Sequence, residues 1–293
     1  MRFGRKASLF LLLLFILVAP CAAWSAEPKR QVGTQPDQPS QKNDEATALN
    51  ETAPESGTSD IVQDTEENPK KEGSNEVKQI FFQAMKYETG KGMEKDIKKA
   101  AELYALAAEK GHVQAQYKIG LMNEEGDGLI QNYKQAVKWY SLAAEQGHTL
   151  AQSSLARLYF DGEDVAQDYR LASLLARSAA SQGDTEAQIL LAKMYHYGNG
   201  MPEDYKAAVF WYRKAAEKGS DYAQYSLAVM YLYGKGLSRD PIEAYAWANI
   251  SAAQGYYEAK ELREEIARAL SGERLTEAQN RSKIYYKRYV EPF

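Results

Sequence analysis

Two stretches of equal length decide the fold: VQAQYKIGLMNEEGDGLIQNYKQAVKWYSLAAEQGH, residues 113–148, and TEAQILLAKMYHYGNGMPEDYKAAVFWYRKAAEKGS, residues 185–220. They belong to one period of 36 residues, which an alanine pair and the glycine three positions after it repeat along the chain. The pairs are Ala107-Ala108, Ala143-Ala144, Ala179-Ala180, Ala215-Ala216 and, with one change, Ser251-Ala252. A period that holds over four steps without drift is typical of a solenoid of stacked repeats.

Each unit has the pattern of two helices joined by a glycine turn. The first helix carries apolar residues at its first, fifth and eighth places, a spacing that marks one buried helix face. These residues are Ala115, Ile119, Met122; Ala151, Leu155, Leu158; Ala187, Leu191, Met194; and Ala223, Leu227, Met230. After the turn, Asp96, Asn132, Asp168, Asp204 or Asp240 is expected to cap a second helix by accepting free backbone N–H groups. That helix should end at the glycine after the alanine pair, which takes the left-handed conformation at least cost.

These residues resemble the Sel1-like repeat, a relative of the tetratricopeptide repeat, over about residues 79–258. The resemblance is carried by Ala223 to Tyr231, Gly234-Lys235-Gly236, Asp204-Tyr205-Lys206, Trp211-Tyr212 and Lys214 to Gly219. It implies an all-α, right-handed α-solenoid of about five 36-residue helix-turn-helix repeats, closed by a C-terminal capping helix over about 273–289. We therefore predict a repeat solenoid over 76–258, followed by capping helices and a tail over 259–293.

The first residues have the composition of an export signal. Arg2, Arg5 and Lys6 precede an unbroken apolar run from Leu9 to Val18, which is too short to span a bilayer as a helix. Small residues follow, so we predict a secretory signal peptide over 1–23, cleaved after Ala23, and a periplasmic or secreted protein. Two alternatives stay open: a lipoprotein signal with lipidation at Cys21, and an uncleaved N-terminal anchor.

Residues 24–75 are predicted to form a disordered acidic linker. From 27 to 75 the chain holds five Lys/Arg and eleven Asp/Glu, a net charge of −6, and few large apolar residues. Such a segment cannot bury enough apolar surface to offset the entropy lost on ordering.

The sequence contains few residues in patterns typical of catalytic or metal-binding sites. A single cysteine, Cys21, excludes an intrachain disulfide and a cysteine-based zinc site, and a formal net charge of −4 gives no reason to expect nucleic-acid binding. His112, His148 and His196 lack metal-ligand spacing, so they are interpreted as surface or loop histidines. The glycine turns follow helices, unlike the phosphate-binding loops that follow strands. We predict no catalytic residue, no cofactor and no metal site.

A binding face should come from positions that vary between units, because the periodic residues form the core. On the first helices the third, seventh and tenth places vary and lie on one side. In related solenoids the first helices line the concave side, so Phe160, Tyr225 and Leu232 would be exposed interface anchors; the alternative is that such residues pack against the next hairpin. The candidate binding residues are Tyr117, Leu121, Arg157, Phe160, Lys193, His196, Tyr225, Val229 and Leu232.

The resemblance implies a scaffold or adaptor that binds partner proteins, in particular those of envelope or membrane complexes. The first alternative is an envelope protein that binds glycan or peptidoglycan through tyrosine- and tryptophan-rich grooves. An enzyme is a distant third. No nucleic-acid partner is expected, and membrane association is expected only through an uncleaved or lipidated N-terminus.

Overall fold

The computed structural model describes residues 69–162 and 165–291, which form twelve α-helices and no strand. The helices are α1 Pro69–Thr89, α2 Ile97–Glu109, α3 Val113–Glu125, α4 Tyr133–Glu145, α5 Thr149–Asp161, α6 Tyr169–Ser181, α7 Thr185–Tyr197, α8 Tyr205–Ala216, α9 Asp221–Tyr233, α10 Pro241–Ala253, α11 Tyr257–Ala269 and α12 Gly272–Tyr289. The predicted signal peptide, and the predicted linker as far as residue 68, lie outside the described residues.

The predicted solenoid of helical hairpins is confirmed. Five antiparallel pairs follow one another, α1 with α2 through α9 with α10, and each second helix also packs on the first helix of the next hairpin. We call α1, α3, α5, α7, α9 and α11 the first helices and α2, α4, α6, α8 and α10 the second helices. The described core therefore runs along the array as a chain of neighbouring clusters.

The N-terminal boundary of the array differs from the prediction. Helix α1 begins at Pro69, so the expectation that 69–75 belong to a disordered linker is wrong. Proline is compatible with the first turn of a helix. Downstream, Ala84 is fully buried, and Val77, Ile80 and Phe81 pack beside it against the first hairpin's core, which anchors the charged first turns of the helix.

The helix ends follow the predicted chemistry. Asp96, Asn132, Asp168, Asp204 and Asp240 cap the five second helices by accepting backbone N–H bonds of about 3 Å in the first turn. The glycine after each alanine pair has a positive φ, from 83° at Gly147 to 100° at Gly255. Each first helix from α3 to α9 ends in the same way, at a left-handed glycine.

Alanine dominates the core, and Gly120 is buried with it, because the helices approach closely. Tyr140 of α4 is fully buried, and a Cβ on Gly120 of α3 would lie 2.7 Å from its ring. A larger residue at position 120 would therefore overlap the ring. The equivalent places in the next three repeats are also small: Ala156, Ala192 and Ala228.

Successive hairpins are joined by buried glutamines. Gln116, in the first turn of α3, donates from Nε2 to the Ala108 carbonyl oxygen at the end of α2, at 3.2 Å. Its Oε1 accepts from Gln146 Nε2 at the end of α4, at 2.7 Å. The amide thus connects three consecutive helices. Gln152, Gln188 and Gln224 make the same bond to the preceding second helix, at 3.1–3.2 Å.

The array is closed by α12, which packs along α10. Trp247 of α10 is fully buried beneath it, with ring centroids 4.7 Å from Tyr285 and 5.4 Å from Tyr289. Arg281 adds an ion pair to Glu243 at 2.7 Å. The C-terminal capping helix predicted from the sequence therefore covers the last second helix.

In three of the turns a glycine, Gly128, Gly200 or Gly236, lies against the backbone at the start of the preceding second helix. Gly236 has φ +72°, and a Cβ there would overlap the carbonyl of Tyr205, the first residue of the preceding second helix. Gly92 has the equivalent place in the first hairpin, with φ +81°, and its Cβ would meet no described atom within 4 Å. Substitutions at Gly92 and Gly236 therefore separate the loss of stability caused by a positive φ from the loss caused by crowding.

We predict that Gly236→Ala destabilises the protein more than Gly92→Ala. The Gly92 variant should lose about 1 kcal/mol through backbone strain, whereas the Gly236 variant must also displace Tyr205 and should lose about 2–4 kcal/mol. Urea unfolding followed by circular dichroism measures both. Equal losses of stability in the two variants would show that the contact between Gly236 and Tyr205 does not add to the cost of the substitution.

Candidate functional site

On α3 and α5, the outward face of the first helices is occupied by an ion-pair network. Glu124 accepts a hydrogen bond of 2.7 Å from the buried Tyr140 hydroxyl and pairs with Arg157 of the next hairpin. Burial first, and then the hydrogen bond to Glu124, raises the pKa of Tyr140 well above its ordinary value of 10. Arg157 also approaches Asp161, at 3.7 Å. Arg157, a predicted binding residue, is thus engaged in joining two hairpins.

The candidates Phe160 and Leu232 occupy a place that is coupled to the second helix of the same hairpin. Where the second helix has a buried tyrosine, the first helix has a polar residue: Glu88 with Tyr104, Glu124 with Tyr140, and His196 with Tyr212. Where alanine replaces the tyrosine, the first helix has a large apolar residue: Phe160 with Ala176, and Leu232 with Ala248. We infer that Phe160 and Leu232 fill volume that the missing ring leaves.

The expectation that Phe160, Tyr225 and Leu232 are exposed anchors is therefore wrong. All three are half-buried: Phe160 packs edge-on to Tyr169, with centroids 5.4 Å apart, and Tyr225 and Leu232 pack against the C-terminal core. Tyr117, Leu121 and Val229 are also half-buried against the core. The assignment of all six residues to a binding face stays a prediction.

On α7, α9 and the start of α11 the same face carries a dense group of tyrosines. Tyr256 lies between two of them, with centroids 5.1 Å from Tyr225 and 6.0 Å from Tyr222. Lys193 Nζ, from the neighbouring helix, lies 4.3 Å from the centroid of the Tyr222 ring. Together these residues form what we call the tyrosine surface: Tyr197, Tyr222, Tyr225, Tyr233, Tyr256 and Tyr257.

Three rings of the tyrosine surface are accessible to a partner. Tyr197, Tyr233 and Tyr257 are 65%, 62% and 67% exposed. Of the predicted site residues, Tyr225 belongs to this surface, and Lys193 and His196 contact its rings. The sequence prediction does not include the exposed members, because it rests on the third, seventh and tenth places alone. Tyr197 and Tyr233 stand one place further on, 36 residues apart, and this repetition is the signal that could have found them.

His112 and His148 are half-buried caps rather than loop histidines. Nδ1 of each ring accepts from a backbone N–H three residues on, Ala115 and Ala151, at 3.2 Å. The His112 ring stacks on Phe81 at 4.4 Å, and burial lowers the pKa of both histidines. Asp184 and Ser220 cap the next two first helices in the same way.

His196 differs from the other two histidines. Its ring stacks on Tyr197, with centroids 4.5 Å apart, and its Nδ1 is buried without a hydrogen-bond partner among the described residues. Burial, followed by the charge of Lys235, lowers its pKa. A neutral ring is therefore packed beside the tyrosine surface.

Within residues 69–162 and 165–291, no group of His, Cys, Asp and Glu side chains is arranged to hold a metal ion. None of the helices described there combines the length and apolarity needed to cross a bilayer. The residues that the fold brings together on the first helices are thus suited to bind a partner through aromatic rings, carboxylates and ammonium groups.

The family model for the Sel1 repeat matches at residues 84–112, 113–148, 149–184, 185–220 and 221–256. From α3 to α9, each matched unit begins at the first residue of a first helix. This chain belongs to the Sel1 repeat family. Sel1 repeats typically mediate protein–protein interactions, and proteins of the family are generally scaffolds rather than enzymes.

Solved structures of Sel1 proteins have the same fold. A Sel1 repeat protein from Oxalobacter formigenes is 31% identical, with a TM-score of 0.63, over 74% of this chain and 90% of that one. The protein c5321, a protective antigen of uropathogenic Escherichia coli strains, is 28% identical, with a TM-score of 0.52. That match covers 75% of this chain but only 55% of the antigen. No curated protein sequence matches significantly.

The histidine caps predict a loss of stability in mild acid. Because burial lowers their pKa below the ordinary 6.5, the unfolded chain binds more protons as the pH falls, so stability present above pH 6.5 is lost below it. Protonation also removes the Nδ1 acceptor, a cap worth about 0.5–2 kcal/mol. Urea unfolding at mildly acidic and neutral pH should show a decrease in the free energy of unfolding.

A double variant, His112→Asp with His148→Asp, supplies the control. It introduces the residue type that caps α7, and an aspartate of ordinary pKa, about 4, does not change charge between mildly acidic and neutral pH, so the variant should show a smaller decrease on acidification. Its absolute stability should be lower at neutral pH, because stacking on Phe81 and Tyr117 is lost. An unchanged pH dependence in this variant would rule out the caps as its cause.

Proposed function

We propose that this Sel1 repeat protein is an exported scaffold that binds partner proteins through the face of its first helices, with the tyrosine surface as the main contact. The observation that carries the proposal is the group of exposed rings Tyr197, Tyr233 and Tyr257 beside the half-buried Tyr222 and Tyr225. Tyrosine supplies apolar area together with a polar hydroxyl, at a low cost in conformational entropy, and it is enriched among the residues that dominate interfaces.

The rigidity of the array supports a role in binding. Tyr222 and Tyr225 are held from below by the packed core of α8 to α10, so their rings lose little freedom when a partner binds. The exposed rings stand at the ends of three first helices: Tyr197 is the last residue of α7, Tyr233 the last of α9 and Tyr257 the first of α11. A partner would therefore meet a surface that is already arranged.

We predict that replacing Tyr197, Tyr233 and Tyr257 together with serine lowers partner capture without unfolding the protein. The rings are exposed, so helical content and melting temperature should stay close to those of the wild type. Binding should weaken by at least about thirtyfold if one ring contributes the 2 kcal/mol typical of an interface anchor. Affinity capture with the full chain from extracts of the producing organism, quantified by mass spectrometry, measures the change.

A matched control lies on the other face. Leu174 and Phe210 are 56% and 52% exposed at equivalent places on the second helices α6 and α8. Their replacement by serine should leave capture unchanged. Loss of capture in the control variant, with retention in the tyrosine variant, would place the binding face on the second helices and overturn the proposal.

A second candidate function is glycan binding, which the exposed tyrosine rings also favour, because a flat ring can stack on a sugar. Titration calorimetry with purified peptidoglycan fragments separates the two functions. Under the proposal no heat of binding is expected; saturable binding that the triple tyrosine variant lacks would favour the glycan instead.

Export is tested at the N-terminus. The basic start and the apolar run to Val18 support cleavage after Ala23, which would leave Trp24 as the first residue of the exported protein. Expression in a bacterium, fractionation and mass spectrometry should find that terminus outside the cytoplasm. Leu12→Arg should block processing. A lipidated Cys21 at the terminus, or an intact Met1, would contradict the prediction.

A further inference from the structure

The tyrosine surface continues into a row of carboxylates on the last first helix. Glu258, Glu261 and Glu265 of α11 stand 36 residues after Tyr222, Tyr225 and Val229, so they occupy the same places on the next repeat. Their spacing of three and four residues puts them on one side of the helix, and all three are exposed.

The two arginines of α11 contact groups outside this row. Arg263 lies 3.6 Å from Glu264, and Arg268 Nε donates to the Glu264 carbonyl oxygen at 3.3 Å. Within the described residues, no Lys or Arg forms an ion pair with Glu258, Glu261 or Glu265. Like charges three and four residues apart weaken a helix, so the row is a local conflict of the kind that occurs at functional sites.

The carboxylates and the rings act on each other. Burial first, and then the charge of Glu258, raises the pKa of Tyr256 to about 12. Glu258 is also the first charge, after burial, to raise the pKa of Tyr225. The negative potential of the row therefore extends over the neighbouring rings.

One ring of the surface already holds a cation from the protein itself. Lys193 Nζ lies 4.3 Å from the centroid of the Tyr222 ring, within the distance at which an ammonium is attracted to the face of an aromatic ring. The exposed ring of Tyr233, and the face of Tyr197 that does not stack on His196, are available to cations supplied from outside.

We propose that the tyrosine surface and the glutamate row of α11 together bind a lysine- or arginine-rich segment of the partner protein. The inference rests on the proposed function and names the chemistry of the partner. Ammonium or guanidinium groups pair with Glu258, Glu261 and Glu265, while their aliphatic stems and charges lie against the tyrosine rings. Acidic or uncharged segments gain neither contact.

The test uses the full chain and a fluorescent peptide in which lysine alternates with serine, with a glutamate–serine peptide of equal length as its counterpart. Fluorescence anisotropy at physiological ionic strength measures binding. The variant Glu258→Gln, Glu261→Gln, Glu265→Gln removes the row. Its control, Glu102→Gln, Glu109→Gln, Glu145→Gln, removes the same charge from exposed places at α2 and α4.

The lysine peptide should bind the wild type and the control alike and bind the α11 variant about tenfold more weakly, and the glutamate peptide should bind none of them. Equal weakening in both variants would show that bulk charge, including that of the acidic N-terminal segment, accounts for binding, and would overturn the inference. Binding that survives in the α11 variant would overturn it as well.

The outcome is separable from that of the proposed function. If capture of the natural partner needs Tyr197, Tyr233 and Tyr257 but not the glutamate row, the scaffold function stands and the cationic partner is wrong. If neither the rings nor the row affects capture, the proposed function fails too.

Discussion

Each junction between successive hairpins depends on a buried glutamine amide. At Gln116 the amide donates to the end of the preceding second helix and accepts from Gln146 of its own hairpin. A helix C-terminus has carbonyl groups without intrahelical partners, and a buried polar group left unpaired costs about 1–3 kcal/mol. The carbonyl that the glutamine bonds also accepts from the N–H of the glycine after the alanine pair, so the buried group that would be left unpaired is the glutamine amide itself. The amide reaches this acceptor in only one register of the two hairpins.

That constraint determines which residues are free to vary. The glutamine lies in the first turn of the first helix, the alanines let the helices approach, and the turn glycine contacts the preceding hairpin through Tyr205 or its equivalent. These positions recur because they build the junction. The outward face of the first helices is under no such requirement, so it carries ion pairs on α3 and α5 and tyrosines on α7 and α9.

The fold was accessible from the sequence because the period is a physical necessity: a hairpin that cannot bury its own faces must present the same contact at each step. The caps of the second helices and the glycines that end them followed from residue chemistry at single positions. The caps His112 and His148 did not, because histidine is not among the residues preferred at that position. The burial of Phe160 and Leu232 could not be read from variability alone. A core position also varies when the residue it packs against on the second helix differs between hairpins, as between Tyr140 and its equivalent Ala176 in the next hairpin. Comparing each first helix with its own second helix is what identifies such compensation.

At the C-terminal end, one side of the array is covered and the side that carries the tyrosine surface is not. Helix α12 packs on α10, where Tyr285 and Tyr289 cover Trp247. It therefore shields the apolar side of the last second helix, which an open-ended solenoid would expose. On the first-helix side, Tyr257 remains 67% exposed and the glutamates of α11 face solvent. Closing one side while leaving the other accessible keeps the array soluble and still presents rings and carboxylates to a partner.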